Sequence, residues 1–376
     1  MSTPVNPPNL IQLNNLVEPY LSAQPSGLAF AIGYATGTFQ FEPSIYLAGS
    51  VQNQYNADLN LSDNTPFELG SLSKTFTATL AAFLGKKYRP NWKTQTIGEF
   101  AHKINVGTQF QPIPLLALAN YTSGLPADDV SPPLIPSQPK YLPVPYSPAA
   151  MLGYLKGTPL KPIHIGKAYT YSNLAFSTLA QIIPLFDGSA ASEDLTQLMA
   201  ELVLGPLMMS NSAYFGDIYL DQLPVGYNYP GPEPANPGHV VFPAYYGGGG
   251  VVSTPSDVLT WLQFNMGMNT TSPLYPILQK TQAPSTTVTR PSDGARPGLG
   301  WFISAPIGPG VTQVVKDGSL PGCESYMVFV DWIESGSPSS AGVFVLTNSN
   351  GLTGGSPAVA ASQYIAEAVL NIMLGI

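Results

Sequence analysis

Apolar residues recur at helical spacing over residues 71–84, where Leu72, Phe76, Leu80 and Phe83 share one face and Gly85 is the expected stop. Upstream, residues 9–22 predict a short helix and residues 28–34 a continuous apolar strand. Thr36-Gly37-Thr38 is a hairpin turn signal, and residues 44–51 follow as a second strand. Near the other end, residues 324–332 and 341–347 predict adjacent antiparallel strands. Residues 358–376, apolar but interrupted by Ser362, Gln363, Glu367 and Asn371, predict an amphipathic closing helix. Between Arg89 and Gln282, helical patterns at 175–184, 192–204 and 255–266 alternate with Pro-rich connections. The connection from Pro126 to Pro148 carries Pro at eight positions, which excludes helix and central strand alike. Long connections of this kind often form the walls of functional sites.

Strands at both ends with helices between them predict an α/β (α+β) fold, an antiparallel sheet flanked by helices. Residues 1–88 and 285–376 would form one discontinuous domain, with a mostly helical domain, residues 89–284, inserted. The length of 376 residues fits two domains, and active sites favour the interface between such units.

Composition narrows the function. Charged residues are only 10% of the chain, with 39 Pro and 36 Gly in a 44% hydrophobic sequence, which describes a loop-rich protein with a neutral polar surface. Net charge is −8 with 14 basic residues, so the clustered cations that nucleic-acid binding requires are missing. Lys86, Lys87 and Arg89 fall where a helix should end and would oppose its dipole. Cys323 is the only cysteine, which excludes an intramolecular disulfide, and it reads as a small packing residue. His102, His164 and His239 lack metal-ligand spacing. No run is long enough to span a bilayer. The start has neither a basic nor an apolar signal region, so the expected location is cytoplasmic, or periplasmic or secreted had a signal peptide been removed. A monomer acting on a small-molecule amide or ester is expected, with no metal and no cofactor.

The chemistry concentrates in three short motifs. Ser71-Leu72-Ser73-Lys74 places a hydroxyl and an amine at i and i+3 on one helix face. A serine hydroxyl needs a base, and a desolvated lysine near other cations can become one. Ser71 also lies at a helix start, which favours developing negative charge. Ser137-Gln138-Pro139-Lys140 has the same spacing but lies in the Pro-rich loop with no helix to aim it. Tyr171-Ser172-Asn173 is the only Tyr-x-Asn in the chain. A tyrosine beside two lysines is favoured as a phenolate and could shuttle protons; the asparagine offers a donor and an acceptor to an amide. Lys316-Asp317-Gly318-Ser319 precedes the 324–332 strand. There a strand edge could supply an oxyanion-hole N–H, and Gly318 would admit substrate close to the backbone.

Together these residues resemble the class C β-lactamases and low-molecular-weight penicillin-binding proteins. Residues 67–77 are similar to the family's nucleophile block, Tyr121-Thr122-Ser123-Gly124-Leu125-Pro126 resembles its T-S-G-L-P block, and residues 247–257 resemble its glycine-to-helix segment. Gly298-Leu299-Gly300-Trp301 resembles its late G-L-G-W block. The resemblance implies a β-lactamase/transpeptidase-like fold and an acyl-enzyme on Ser71. Lys74 would be base or proton partner, and Tyr171 a proton shuttle that also activates water. Asn173 would bind the acyl side-chain amide, the N–H groups of Ser71 and Ser319 would form the oxyanion hole, and Lys316 would tune Tyr171.

One departure divides the expected substrates. Where the family carries Lys-Thr-Gly, with a threonine that helps bind a substrate carboxylate, this chain has Asp317. Asp128 or Asp129 adds negative charge near the acyl end. The resemblance favours a β-lactam or D-alanyl amide; the charge favours an ester or a D-amino-acid peptide or amide on the same scaffold. A protein that is acylated without turnover is the alternative of a different class.

Overall fold

The computed structural model describes residues 6–23, 26–37, 41–53, 55–128, 147–188, 194–214, 222–229, 234–236, 243–308, 311–334 and 337–376. At its centre is a seven-stranded antiparallel sheet. Two strands, β1 (Ala29–Thr36) and β2 (Ser44–Gly49), come from the N-terminal stretch. Five come from the C-terminal stretch: β3 (Arg296–Pro297), β4 (Phe302–Gly308), β5 (Val311–Leu320), β6 (Cys323–Glu334) and β7 (Ser337–Thr347). The order is β3-β4-β5-β6-β7-β1-β2, so the two chain ends meet where β1 pairs with β7, Ile32 opposite Val345. All eight residues of β1 are buried. A strand without polar alternation needs cover on both faces.

The principal helices are α1 (Leu10–Ala23), α2 (Ser73–Tyr88), α3 (Asn173–Ile182), α4 (Pro255–Asn265) and α5 (Ala361–Leu374). α4 packs on β1 and β7, and α5 on β6 and β7. Gly342 on β7 permits the close approach of α4, since a Cβ there would lie 2.7 Å from the Met266 sulfur and 2.8 Å from Leu262. α2 is buried along nearly its whole length, with Phe76 stacked on Trp261 of α4 at 3.8 Å between ring centres. The nucleophile motif therefore stands on a helix held in the core.

Two sequence expectations are corrected here, and two further features were not expected. Gly85 does not stop α2, which runs on to Tyr88; it is a packing position, because a Cβ there would lie 2.2 Å from the Trp92 ring. Of the predicted helix 192–204, the described part from residue 194 is not one regular helix: Leu195–Met199 is α-helical and Ala200–Leu204 continues as a π turn. Arg89 does more than oppose a dipole: its Nε donates to the Phe186 carbonyl at 2.9 Å and its guanidinium lies 5.1 Å from the Phe100 ring centre. Residues 302–308 and 311–320 are long strands that the apolar pattern did not announce. Thr38, Asp129, the second S-x-x-K at Ser137–Lys140, most of the Pro126–Pro148 connection and His239 lie outside the described residues.

Two short pairings carry the fold to the site. Phe67–Glu68 pairs antiparallel with Val252 and Ser253, and the Leu69 N–H donates to the Val251 carbonyl at 2.9 Å. The segment leading into Ser71 is thus tied to the segment leaving the glycine run 247–250.

Candidate active site

A tight 3₁₀ turn, Gly70–Leu72, feeds directly into α2. Gly70 sits at φ +50°, and a Cβ on it would lie 2.8 Å from the Ser319 nitrogen. The turn thus presses against β5. Around it Gly70, Leu72, Ser73 and Lys74 are buried, while Ser71 keeps partial exposure. Ser73 faces away from the cleft and accepts from the Val251 N–H at 3.0 Å, a structural role.

Lys74 is completely buried, and its Nζ is surrounded by acceptors. It lies 2.9 Å from Ser71 Oγ, 2.6 Å from Asn173 Oδ1 and 2.5 Å from the Gly248 carbonyl. Desolvation first, and the positive charge of Lys316 second, push its pKa well below the usual lysine range, against smaller opposing effects of Asp317 and Asp128. A neutral amine at hydrogen-bond distance from a serine hydroxyl can accept its proton.

Tyr171 and Asn173 stand at the start of α3, whose N-cap is Ser172: its Oγ accepts from the Ala175 N–H at 2.9 Å. The tyrosine ring stacks on Tyr121 at 5.4 Å and 18°, and Tyr121 is anchored in turn by its hydroxyl on the Gly300 carbonyl at 2.7 Å. Lys74 Nζ lies 4.8 Å and Lys316 Nζ 5.5 Å from the Tyr171 ring centre, and the tyrosine hydroxyl is hydrogen-bonded to Ser71. Burial, with the Asp317 carboxylate second, pushes its pKa well above the usual tyrosine value, which works against the phenolate that two neighbouring lysines would favour. Asn173 is oriented at both ends: its Oδ1 accepts from Lys74 and its Nδ2 donates to Asp128 Oδ1 at 2.9 Å.

The third motif lies in β5, not in a turn. Because β4 begins opposite Val315, residues 316–320 run past it, and that outer edge of β5 meets the Ser71 turn instead. Gly318 is required by this contact, since a Cβ would lie 2.1 Å from the Leu69 carbonyl oxygen. Lys316 and Gly318 are buried, whereas Asp317 and Ser319 alternate onto the exposed face. Lys316 Nζ bonds to the Asp317 carbonyl and lies 3.2 Å from Asp317 Oδ1. Although burial acts to raise the Asp317 pKa, the charge and hydrogen bond of Lys316 outweigh it, and the group is held below the usual carboxylate range.

All nine candidates, Ser71, Lys74, Asp128, Tyr171, Asn173, Lys316, Asp317, Gly318 and Ser319, therefore belong to one connected cluster. Sequence reasoning missed the Gly248 carbonyl on Lys74 and the Tyr121–Gly300 support behind Tyr171. The glycine run and the G-L-G-W block carried the only signals for them. Cys323 is buried, and burial raises its thiol pKa well above the ordinary value, which disfavours the thiolate. Among the described residues, no group of His, Cys, Asp and Glu could hold a metal ion, and no helix is long and apolar enough to cross a membrane.

A model of the family described as Beta-lactamase matches residues 42–370 of the chain. A β-lactamase of Pseudomonas fluorescens is 26% identical over 376 aligned positions, covering 96% of this chain and 91% of the relative. The D-alanyl-D-alanine-carboxypeptidase/endopeptidase AmpH of Escherichia coli (strain K12) is 30% identical over 257 positions. That match spans 64% of this chain and 60% of the relative. Among solved structures, a class C β-lactamase superposes with a TM-score of 0.72 at 20% identity, covering 96% of each chain. The fold is thus the β-lactamase/transpeptidase-like fold expected from the residues.

Proposed function

The chain belongs to the Beta-lactamase family, and on that premise we propose that it is a serine hydrolase that forms an acyl-enzyme on Ser71 and hydrolyses a β-lactam or related D-alanyl amide. The observation that carries the reading is the fully buried Lys74 amine 2.9 Å from Ser71 Oγ. In this mechanism Lys74, held by the Gly248 carbonyl and Asn173, takes the Ser71 proton as Oγ attacks the carbonyl carbon. The N–H groups of Ser71 and Ser319 receive the oxyanion, which the approach of Gly70 to the Ser319 nitrogen supports. Tyr171, a phenol hydrogen-bonded to Ser71, relays the proton to the departing nitrogen; in deacylation the same pair activates water. Asn173 binds the acyl amide. Asp317 favours a second reading, an ester or D-amino-acid amide as substrate, because its exposed carboxylate stands beside the nucleophile.

Intact-protein mass spectrometry after exposure to a panel of β-lactams and activated esters tests the reading. A mass increase that maps to Ser71 and decays with turnover is expected. An adduct that never decays would make the protein an acyl acceptor and not a hydrolase. Full activity in Ser71→Ala would overturn the mechanism.

A further inference from the structure

Among the described residues, the two cations that act on Asp317, Lys316 and Arg290, each have an aspartate partner. The Lys316 side chain is inaccessible and is bonded to Asp317 through both the carbonyl and the carboxylate. Arg290, whose charge acts on Asp317 and Tyr169, is held by Asp293 through Nε at 2.9 Å and a second contact from its terminal nitrogen. The face of Arg290 is covered by Phe302 at 4.0 Å. Asp128, whose charge also acts on Lys74, is bonded to the uncharged amide of Asn173. Asp317 is open to an incoming substrate, with 54% of its side chain exposed.

Resting only on the acyl-enzyme step of the reading above, and deciding between its two substrate branches for the ester or D-amino-acid amide against the β-lactam or D-alanyl amide, we infer that Asp317 sets the charge of the substrate: the cleft accepts acyl donors whose leaving group is neutral or cationic and disfavours those that carry a carboxylate there. A substrate carboxylate placed against β5 cannot reach the Lys316 ammonium without first displacing the Asp317 oxygen that covers it. Like charges at contact distance in a partly desolvated cleft disfavour binding by about tenfold or more. A leaving group with an ammonium meets the reverse situation and gains the exposed Asp317 oxygens as acceptors.

Three esters of one N-acylglycine test this, with phenyl, 3-carboxyphenyl and 3-(aminomethyl)phenyl leaving groups. The quantity compared is the ratio of kcat/KM values, which cancels any general loss of activity in a variant. The expected order in the wild type is cationic, then neutral, then anionic, with about tenfold or more between the last two at low salt and a narrower gap at high salt. Asp317→Asn, which keeps the shape and removes the charge, should close most of that gap, and so should Asp317→Thr. An unchanged ratio in both variants, or no wild-type preference, would overturn the inference. Failure of the underlying reading would look different: Ser71→Ala would still hydrolyse the neutral ester.

Discussion

A Cβ on Gly70 would lie 2.8 Å from the backbone nitrogen of Ser319, and Gly70 already occupies φ +50°. Both facts bear on the same point, the seating of the Ser71 turn against the edge of β5 that extends past β4. Gly70→Ala should therefore destabilise the protein by about 1–3 kcal/mol through backbone strain. It should also push Ser71 away from the β5 N–H. Misplacement of about 1 Å costs on the order of a hundredfold in rate. Thermal unfolding and kcat/KM on a neutral ester, measured together, check this; a variant with wild-type kcat/KM would separate the turn from the oxyanion site.

The pH profile should move in opposite directions when the two neighbouring charges are removed. Lys74 must be neutral to accept a proton, so the acid limb of kcat/KM reports its pKa in the free enzyme. The Lys316 charge lowers that pKa and the Asp317 charge raises it. Lys316→Gln should therefore displace the acid limb to higher pH, and Asp317→Asn should displace it to lower pH, both read on residual activity with the neutral ester. Displacements of the same sign would remove Lys74 as the titrating base.

Tyr171→Phe should separate chemistry from packing. The ring would keep its stack on Tyr121 and its place beneath both lysines, so unfolding should change by no more than about 1 kcal/mol. The lost hydroxyl is the one bonded to Ser71, and kcat should fall on the order of a hundredfold or more. Since burial and Asp317 raise the pKa of Tyr171, the wild-type enzyme should show no tyrosinate absorbance near neutral pH.

How much of this could be read from the residues depends on whether side chains or backbone did the work. Ser71 and Lys74 lie at short spacing on a helix start, where periodicity placed them, and Tyr171 and Asn173 were found through the lone Tyr-x-Asn and the family resemblance. Strands 324–332 and 341–347 and the closing helix were legible from periodicity as well. The Gly248 carbonyl that holds Lys74 was not, because a main-chain oxygen carries no residue signature. Nor was the reach of β5 past β4, which depends on where a different strand begins. Gly85 misled because a glycine within a helix signals an end as readily as the approach of a bulky neighbour, here Trp92. The upward pKa shift of Tyr171 required knowing that the ring is buried beside Asp317, and no spacing reports burial.

Asp128 is connected to Ser71 through Asn173 and then Lys74, which makes it a positioning residue with a separable signature. Its Oδ1 accepts from Asn173 Nδ2 and so fixes the amide with Oδ1 toward Lys74. Asp128→Ala removes that restraint, and a charge-assisted hydrogen bond of this kind contributes about 1.5–3 kcal/mol, enough for roughly tenfold or more in kcat/KM. Asp128 also supplies negative charge that raises the Lys74 pKa, so its removal should shift the acid limb of the profile to lower pH. Asp128→Asn distinguishes the two effects. Its carbonyl oxygen can still accept from Asn173, so the rate should recover substantially, while the shifted acid limb should remain because the charge is gone. Recovery of both, or of neither, would mean that position 128 acts on the site by some route other than the orientation of Asn173.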